Sequence, residues 1–207
     1  MDGPPKLIAI TTGRALAEDC GRMLSAVAGG LPGLLLREPR MSDRDLLRYA
    51  AELRERSANL WLCIHDRAHL AYSPVFDAVH LGYQSLTPFE VRQIVSPKKA
   101  IGFSSHAHDC EESWRGADYL FFSPIKETPS KADLVEPTGF EGLRRAALGC
   151  SLPVLALGGL APSDVGDCLD AGASGVACLS DISSADDPAA RVGLWLEAFG
   201  AEQLGQA

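Results

Sequence analysis

The chain has 207 residues, 46% hydrophobic and 22% charged, with a formal net charge of -8. That is enough apolar material for one sizeable core, and the acidic balance argues against sequence-independent binding to DNA or RNA, which requires a basic surface. No continuous apolar stretch reaches membrane-spanning length, and Met1-Asp2-Gly3-Pro4-Pro5 lacks the basic and apolar regions of a signal peptide, so a cytoplasmic protein with no membrane or nucleic-acid partner is expected.

Strand-like runs alternate with helical ones along the chain. The first, near Leu7–Thr11, is followed by one at Gly33–Arg37 and then by the clearest helical segment, Ser42–Ser57. This segment opens with an N-cap pattern and repeats Leu46, Leu47, Ala50 and Leu53 on one face. Further short apolar runs fall at Leu60–His65, Ala78–Leu81, Ala100–Ser104, Tyr119–Ser123, Val154–Leu157 and Gly175–Leu179, each bounded by Gly, Pro or charge. Helix starts with a polar or small cap and an early Pro or Gly stand at Thr87-Pro88, Thr138-Gly139, Pro162-Ser163 and Asp187-Pro188. The pattern predicts an α/β chain folded as a (β/α)8 TIM barrel, with residues 1-207 as a single domain. Six cysteines (Cys20, Cys63, Cys110, Cys150, Cys168 and Cys178) have no C-x-x-C spacing, and most of them read as buried thiols, with neither a zinc site nor a disulfide framework suggested.

In such a barrel chemistry belongs to the strand C-terminal ends. Gly158-Gly159 closes the seventh apolar run and Leu179-Ser180 the eighth. The loops after these two strands commonly bind phosphate through backbone N–H groups, so a phosphorylated ligand is expected there. Arg37 ends an apolar Leu34-Leu35-Leu36 run, where a charge is costly unless an anion or Glu38 pairs with it, and its planar fork suits carboxylate or phosphate. His65, Asp66, Ser104 and His106 punctuate other strand ends. The segment Ser123 to Lys131, rich in hydroxyls and lysine, reads as an active-site loop in which Thr128, Ser130 and Lys131 clamp anionic oxygen. His80, inside the fourth strand, reads as core. His69 and His108 need no function, and Arg14, Arg22 and Arg191 read as ordinary exposed positions.

Arg37-Glu38, Ile64-His65-Asp66, Val79-His80-Leu81-Gly82, Ile101 to His106, Gly116 to Tyr119, Thr128 to Lys131, Gly158-Gly159-Leu160 and Ala171 to Ala177 follow one another as in the thiamine phosphate synthase/TenI family, and the resemblance covers nearly the whole chain. It implies a (β/α)8 barrel acting on a thiazole phosphate in thiamin biosynthesis. Synthases of the family join a pyrimidine diphosphate to thiazole phosphate, release pyrophosphate and use Mg²⁺. Their second, third and fourth strands typically end Gln-x-Arg-Glu-Lys, Asn-Asp and Gly-Gln-x-Asp. Here the same places read Leu35 to Pro39, His65-Asp66 and Gly82 to Ser85. A pyrimidine-binding Gln, a diphosphate Lys, a diphosphate Asn and one of two Mg²⁺-ligand Asp residues are thus replaced, leaving Asp66.

The resemblance implies that Arg37, Ser104, Thr128, Ser130, Lys131, Gly158, Gly159, Leu179 and Ser180 are retained where the family handles thiazole phosphate and neighbouring anionic groups, so that the thiazole half looks intact. This division favours the TenI branch, a thiazole tautomerase that needs no metal or cofactor. Its usual His is Pro124 here, so His65 is expected to serve as acid/base with Asp66 fixing its orientation or charge, and His106 is a second candidate. The alternative is the synthase itself, with Mg²⁺ on Asp66. The other alternative is a non-catalytic binder of thiazole phosphate. Pairing through the outer helices as a homodimer is common for barrels of this size.

Overall fold

The computed structural model describes residues 3–128 and 136–205. Eight parallel strands close into a barrel: β1 (Leu7–Ile10), β2 (Gly33–Leu36), β3 (Trp61–His65), β4 (Ala78–Leu81), β5 (Ala100–Ser105), β6 (Tyr119–Phe122), β7 (Val154–Leu157) and β8 (Gly175–Cys178). Each pairs with its neighbour in sequence, and β8 returns to β1 through Leu7↔Val176, Ile8↔Ala177 and Ala9↔Cys178. The strands lie where the apolar runs place them, because a parallel strand covered on both faces reads as a nearly unbroken apolar run.

The pleat divides the strand side chains into two cores. Ile8, Ile10, Leu35, Cys63, Tyr119 and Phe121 fill the barrel interior, while Leu7, Ala9, Leu34, Leu36, Leu62 and Ile64 face the surrounding helices. Those helices are α1 (Ala17–Ala28), α2 (Asp43–Arg56), α3 (Pro88–Arg92), α4 (Gly139–Leu148), α5 (Val165–Asp170), α6 (Ser180–Ser183) and α7 (Pro188–Gly205). The Ser42 hydroxyl caps α2 by accepting the Asp45 amide at 3.2 Å, and Thr87 and Glu90 form a capping box on α3. The sequence reading did not single out α1, since Leu16 stands at its N-cap and offers no side-chain acceptor. After β3 and β5 the crossover shrinks to 3₁₀ turns, Ala68–Tyr72 and Glu111–Trp114, and Pro162–Asp164 forms another that runs into α5. No helix among the described residues is long and apolar enough to cross a membrane, and the six cysteines are free thiols.

Two aspartates fasten the N-terminal rim in the same way. Asp77 accepts the Leu62 amide at 2.7 Å and the Arg54 guanidinium. Asp118 accepts the Ile101 amide at 2.7 Å and the Arg92 guanidinium. In both places the aspartate's own N–H closes the turn onto the preceding strand, Asp77 to Leu62 and Asp118 to Ile101. Removing one carboxylate strands an amide and a cation that lose their acceptor, at a cost of about 1–3 kcal/mol. Asp118→Ala is therefore expected to lower the thermal midpoint by several degrees and to leave kcat/KM unchanged, because this rim is opposite the strand ends that carry chemistry. Thermal unfolding and steady-state kinetics on one preparation check both halves of that outcome.

Candidate active site

A cavity of about 640 Å³ opens at the C-terminal ends of the strands, walled by Leu35, Phe121 and Leu157 and edged by polar groups. It brings together Arg37, His65, Ser104, Thr128, Gly158, Gly159, Leu179 and Ser180. A recess of about 240 Å³ adjoins it, shares Arg37 and His65, and adds Glu38, Asp66 and Arg67. His106 lines neither. Its amide donates to Asp109 Oδ2 at 2.7 Å and its Nδ1 lies 3.6 Å from the same carboxylate. Ser130 and Lys131 lie outside the described residues.

The glycine pair has a steric origin. Gly158 (φ +110) and Gly159 (φ +67) hold backbone conformations that L side chains rarely adopt. A Cβ on Gly158 would lie 2.9 Å from Pro124 Cα, and one on Gly159 would lie 2.5 Å from the Glu127 carbonyl. The loop after β6 therefore rides directly over the end of β7, with Ile125 N–H donating to Leu157 O and Lys126 N–H to Gly158 O. Lys126 secures this loop through Asp164 at 2.6 Å. The absent side chains thus serve loop seating as well as leaving the mouth open.

Arg37 is exposed at the mouth, which reduces the desolvation cost expected of a charge ending an apolar strand. Its amide donates to Thr11 Oγ1 at 2.8 Å. Glu38 is not its partner: that buried carboxylate accepts the amides of Gly13 at 3.2 Å and Ala15 at 2.7 Å, and so moulds the loop after β1. Among the described residues the Arg37 guanidinium has no ion pair, which leaves it available to an anion.

Burial pushes the His65 imidazole down to about 4, with the Arg37 charge adding to the effect and Asp66 opposing it. His65 is therefore neutral at pH 7, with one ring nitrogen a hydrogen-bond donor and the other an acceptor. Asp66 is exposed at positive φ (+66) and makes no hydrogen bond to His65 among the described residues, so it acts on His65 through its charge, which opposes the lowering. Because the folded-state pKa lies below the unfolded value of about 6.5, the unfolded chain binds more protons between pH 6.5 and 4. Stability is full above that window and falls as pH drops through it. His65→Asn is expected to flatten this acid-side loss, which urea midpoints at pH 4.5 and pH 7 would detect as a smaller difference than in the wild type.

Two features of the site escaped the sequence reading. His80 is not mere core filling: it points into the barrel, 1% exposed, with Nε2 3.0 Å from Ser104 Oγ and Nδ1 3.2 Å from the Tyr119 hydroxyl. Arg191 is not an ordinary exposed residue: its Nε and a terminal nitrogen donate to Asp181 at 2.8 and 2.5 Å, and the buried Trp195 indole donates to the same carboxylate at 2.7 Å. Asp181, next to Ser180 at the cavity edge, is thereby neutralised and turned towards α7. The signal was present in the i, i+4 spacing of Arg191 and Trp195 on one helix face.

The donor set does not fit a resident Mg²⁺ ion. No group of three or more His, Cys, Asp or Glu residues suited to a metal occurs among the described residues. Of the nearby carboxylates, Glu38 is occupied by backbone amides and Asp181 by Arg191 and Trp195, leaving Asp66 alone, where a hard cation needs several oxygens.

A family model described as thiamine monophosphate synthase matches residues 7–182. A thiamine-phosphate synthase of Xanthobacter autotrophicus is 37% identical over 168 residues, covering 79% of this chain and 80% of that one. One from Chloroflexus aurantiacus is 34% identical over 169 residues, with 79% and 77% covered. Among solved structures, thiamine phosphate pyrophosphorylase from Pyrococcus furiosus superposes with a TM-score of 0.82 at 25% identity, covering 95% of this chain and 96% of that one. These relatives carry the synthase name, which overturns the preference for a TenI-type tautomerase drawn from the replaced residues.

Proposed function

The chain belongs to the thiamine monophosphate synthase family of enzymes, and on that premise we propose that it joins a pyrimidine diphosphate to a thiazole phosphate with release of pyrophosphate. The observation that carries the reading is similarity to synthases at 34–37% identity over four-fifths of the chain in the two relatives described, combined with a mouth cavity that has room for two small ligands. The apolar walls Leu35, Phe121 and Leu157 suit the two heterocycles and keep water from the developing cation. Gly159 and Ser180 present backbone amides and a hydroxyl to the thiazole phosphate. Arg37 meets the diphosphate and stabilises the charge that grows on it as the carbon–oxygen bond breaks. His65, neutral and facing both cavities, takes the place of an amide side chain as a hydrogen-bond donor to the same group. Mg²⁺ enters with the diphosphate as part of the substrate.

The test is a proton and phosphorus NMR time course with purified protein, the pyrimidine diphosphate, thiazole phosphate and Mg²⁺. Thiamine phosphate and pyrophosphate are expected in equal amounts, well ahead of a protein-free control. Matching rates in the two samples would refute the assignment.

A further inference from the structure

His80 and Tyr119 lie on strands that are not neighbours. The register places Gly102 of β5 between them, opposite His80 on one side and Tyr119 on the other. Two strand spacings of ~4.8 Å would ordinarily hold such side chains apart behind an intervening one. A Cβ on Gly102 would lie 2.4 Å from His80 Nδ1 and 2.4 Å from the Tyr119 hydroxyl, so the hydrogen bond passes through the space that this glycine leaves empty. On its other side His80 Nε2 meets Ser104 Oγ at 3.0 Å, at the floor of the cavity.

The proton order along this row follows from acceptor strength. The Tyr119 hydroxyl has two neighbours, His80 Nδ1 at 3.2 Å and Cys63 Sγ at 3.6 Å. Cys63 Sγ in turn lies 3.7 Å from the Ile64 carbonyl, to which its S–H donates. An imidazole nitrogen is a far stronger acceptor than a thiol, so the phenol donates to Nδ1. His80, completely buried and held neutral by that burial, then carries its one proton on Nε2 and donates it to Ser104. The Ser104 oxygen is thereby an acceptor towards His80, and its own O–H is directed into the cavity.

We propose that Tyr119, acting through His80 across Gly102, sets Ser104 as an obligate hydrogen-bond donor towards the ligand, making Tyr119 and His80 positioning residues that select a ligand with an acceptor, such as an anionic oxygen or unprotonated ring nitrogen, at that point. In the opposite tautomer Ser104 would give its proton to His80 and present only lone pairs to the same atom. The kinetic consequence rests on the synthase reading. The tautomer itself does not.

Long-range proton–nitrogen NMR on ligand-free, ¹⁵N-labelled protein, with His80 assigned by comparison with His80→Gln, is expected to show Nε2 protonated and Nδ1 bare in the wild type. Tyr119→Phe should lose that single pattern. A wild-type His80 protonated on Nδ1, or a pattern unchanged by Tyr119→Phe, overturns the proposal whether or not the protein is a synthase. In the synthase assay Tyr119→Phe should lower kcat/KM about tenfold, the weight of one hydrogen bond, but by less than about twofold in a Ser104→Ala background. Losses that multiply would assign Tyr119 a merely structural role. Absence of turnover in the wild type would sink the synthase reading and leave the NMR result to decide the tautomer.

Discussion

Gly102→Ala is expected to cost about 3 kcal/mol or more and to lower the thermal midpoint by roughly 10 °C. The added methyl carbon would sit 2.2 Å from Tyr119 Cζ and 2.4 Å from His80 Nδ1. Both rings are fully buried, and His80 packs against Phe121 with ring centroids 4.1 Å apart, so neither can withdraw without displacing the next. Gly102 has no positive φ, and the cost is therefore one of volume alone. Gly200 in α7 is the matched control, since nothing lies within 4 Å of its added carbon. Gly200→Ala should hold or raise stability by up to about 1 kcal/mol through helix propensity. Differential scanning calorimetry of the two variants beside the wild type is the measurement, and a Gly102→Ala midpoint within 2 °C of the wild type, roughly 1 kcal/mol, would show that the interior relaxes far more than the packing implies.

Arg37→Ala is expected to reduce kcat/KM by about 10²–10³-fold, the usual effect of removing one strong donor from charge that develops in a transition state. Its fold should be unaffected, because the guanidinium is exposed and unpaired among the described residues. Arg67 supplies the contrast within the same recess: it binds Asp43 at 2.7 Å and the carbonyls of Glu38, Pro39 and Met41, so Arg67→Ala should lose stability first and activity as a consequence. Steady-state kinetics at two salt concentrations would separate them, since an exposed arginine that meets an anion loses its effect as ionic strength rises. An Arg37→Ala enzyme within about threefold of the wild type would remove Arg37 from the anion site.

The strands were legible because each is a short apolar run stopped by Gly, Pro or charge, and much of the mouth was legible because strand ends are where such a barrel puts chemistry. Arg37, His65, Ser104, Gly158 and Ser180 follow from that rule. What stayed hidden depends on partners distant in sequence. His80 alone in a strand tells only that it faces one side. Its role needs Tyr119 on β6 and the missing side chain of Gly102 between them. Likewise Glu38 could be named as a partner for Arg37, but not its commitment to the amides of Gly13 and Ala15. The choice of reaction went astray for a related reason: replaced residues report which groups a site has lost, whereas the similarity to synthases is spread over four-fifths of the chain.

The paired clasps of Asp77 and Asp118 bear on how this chain can diverge. They hold the barrel at the end opposite the cavity, using charge and backbone amides, while the cavity end carries Arg37, His65 and Ser104. At the cavity end the two tasks are divided between neighbouring residues: Arg37 has no ion pair among the described residues, whereas Arg67, Glu38, Gly158 and Gly159 hold the loops in place. New ligand chemistry can therefore be tried at the first kind of position without loosening the barrel, and the far rim supplies a fastening that such trials leave untouched.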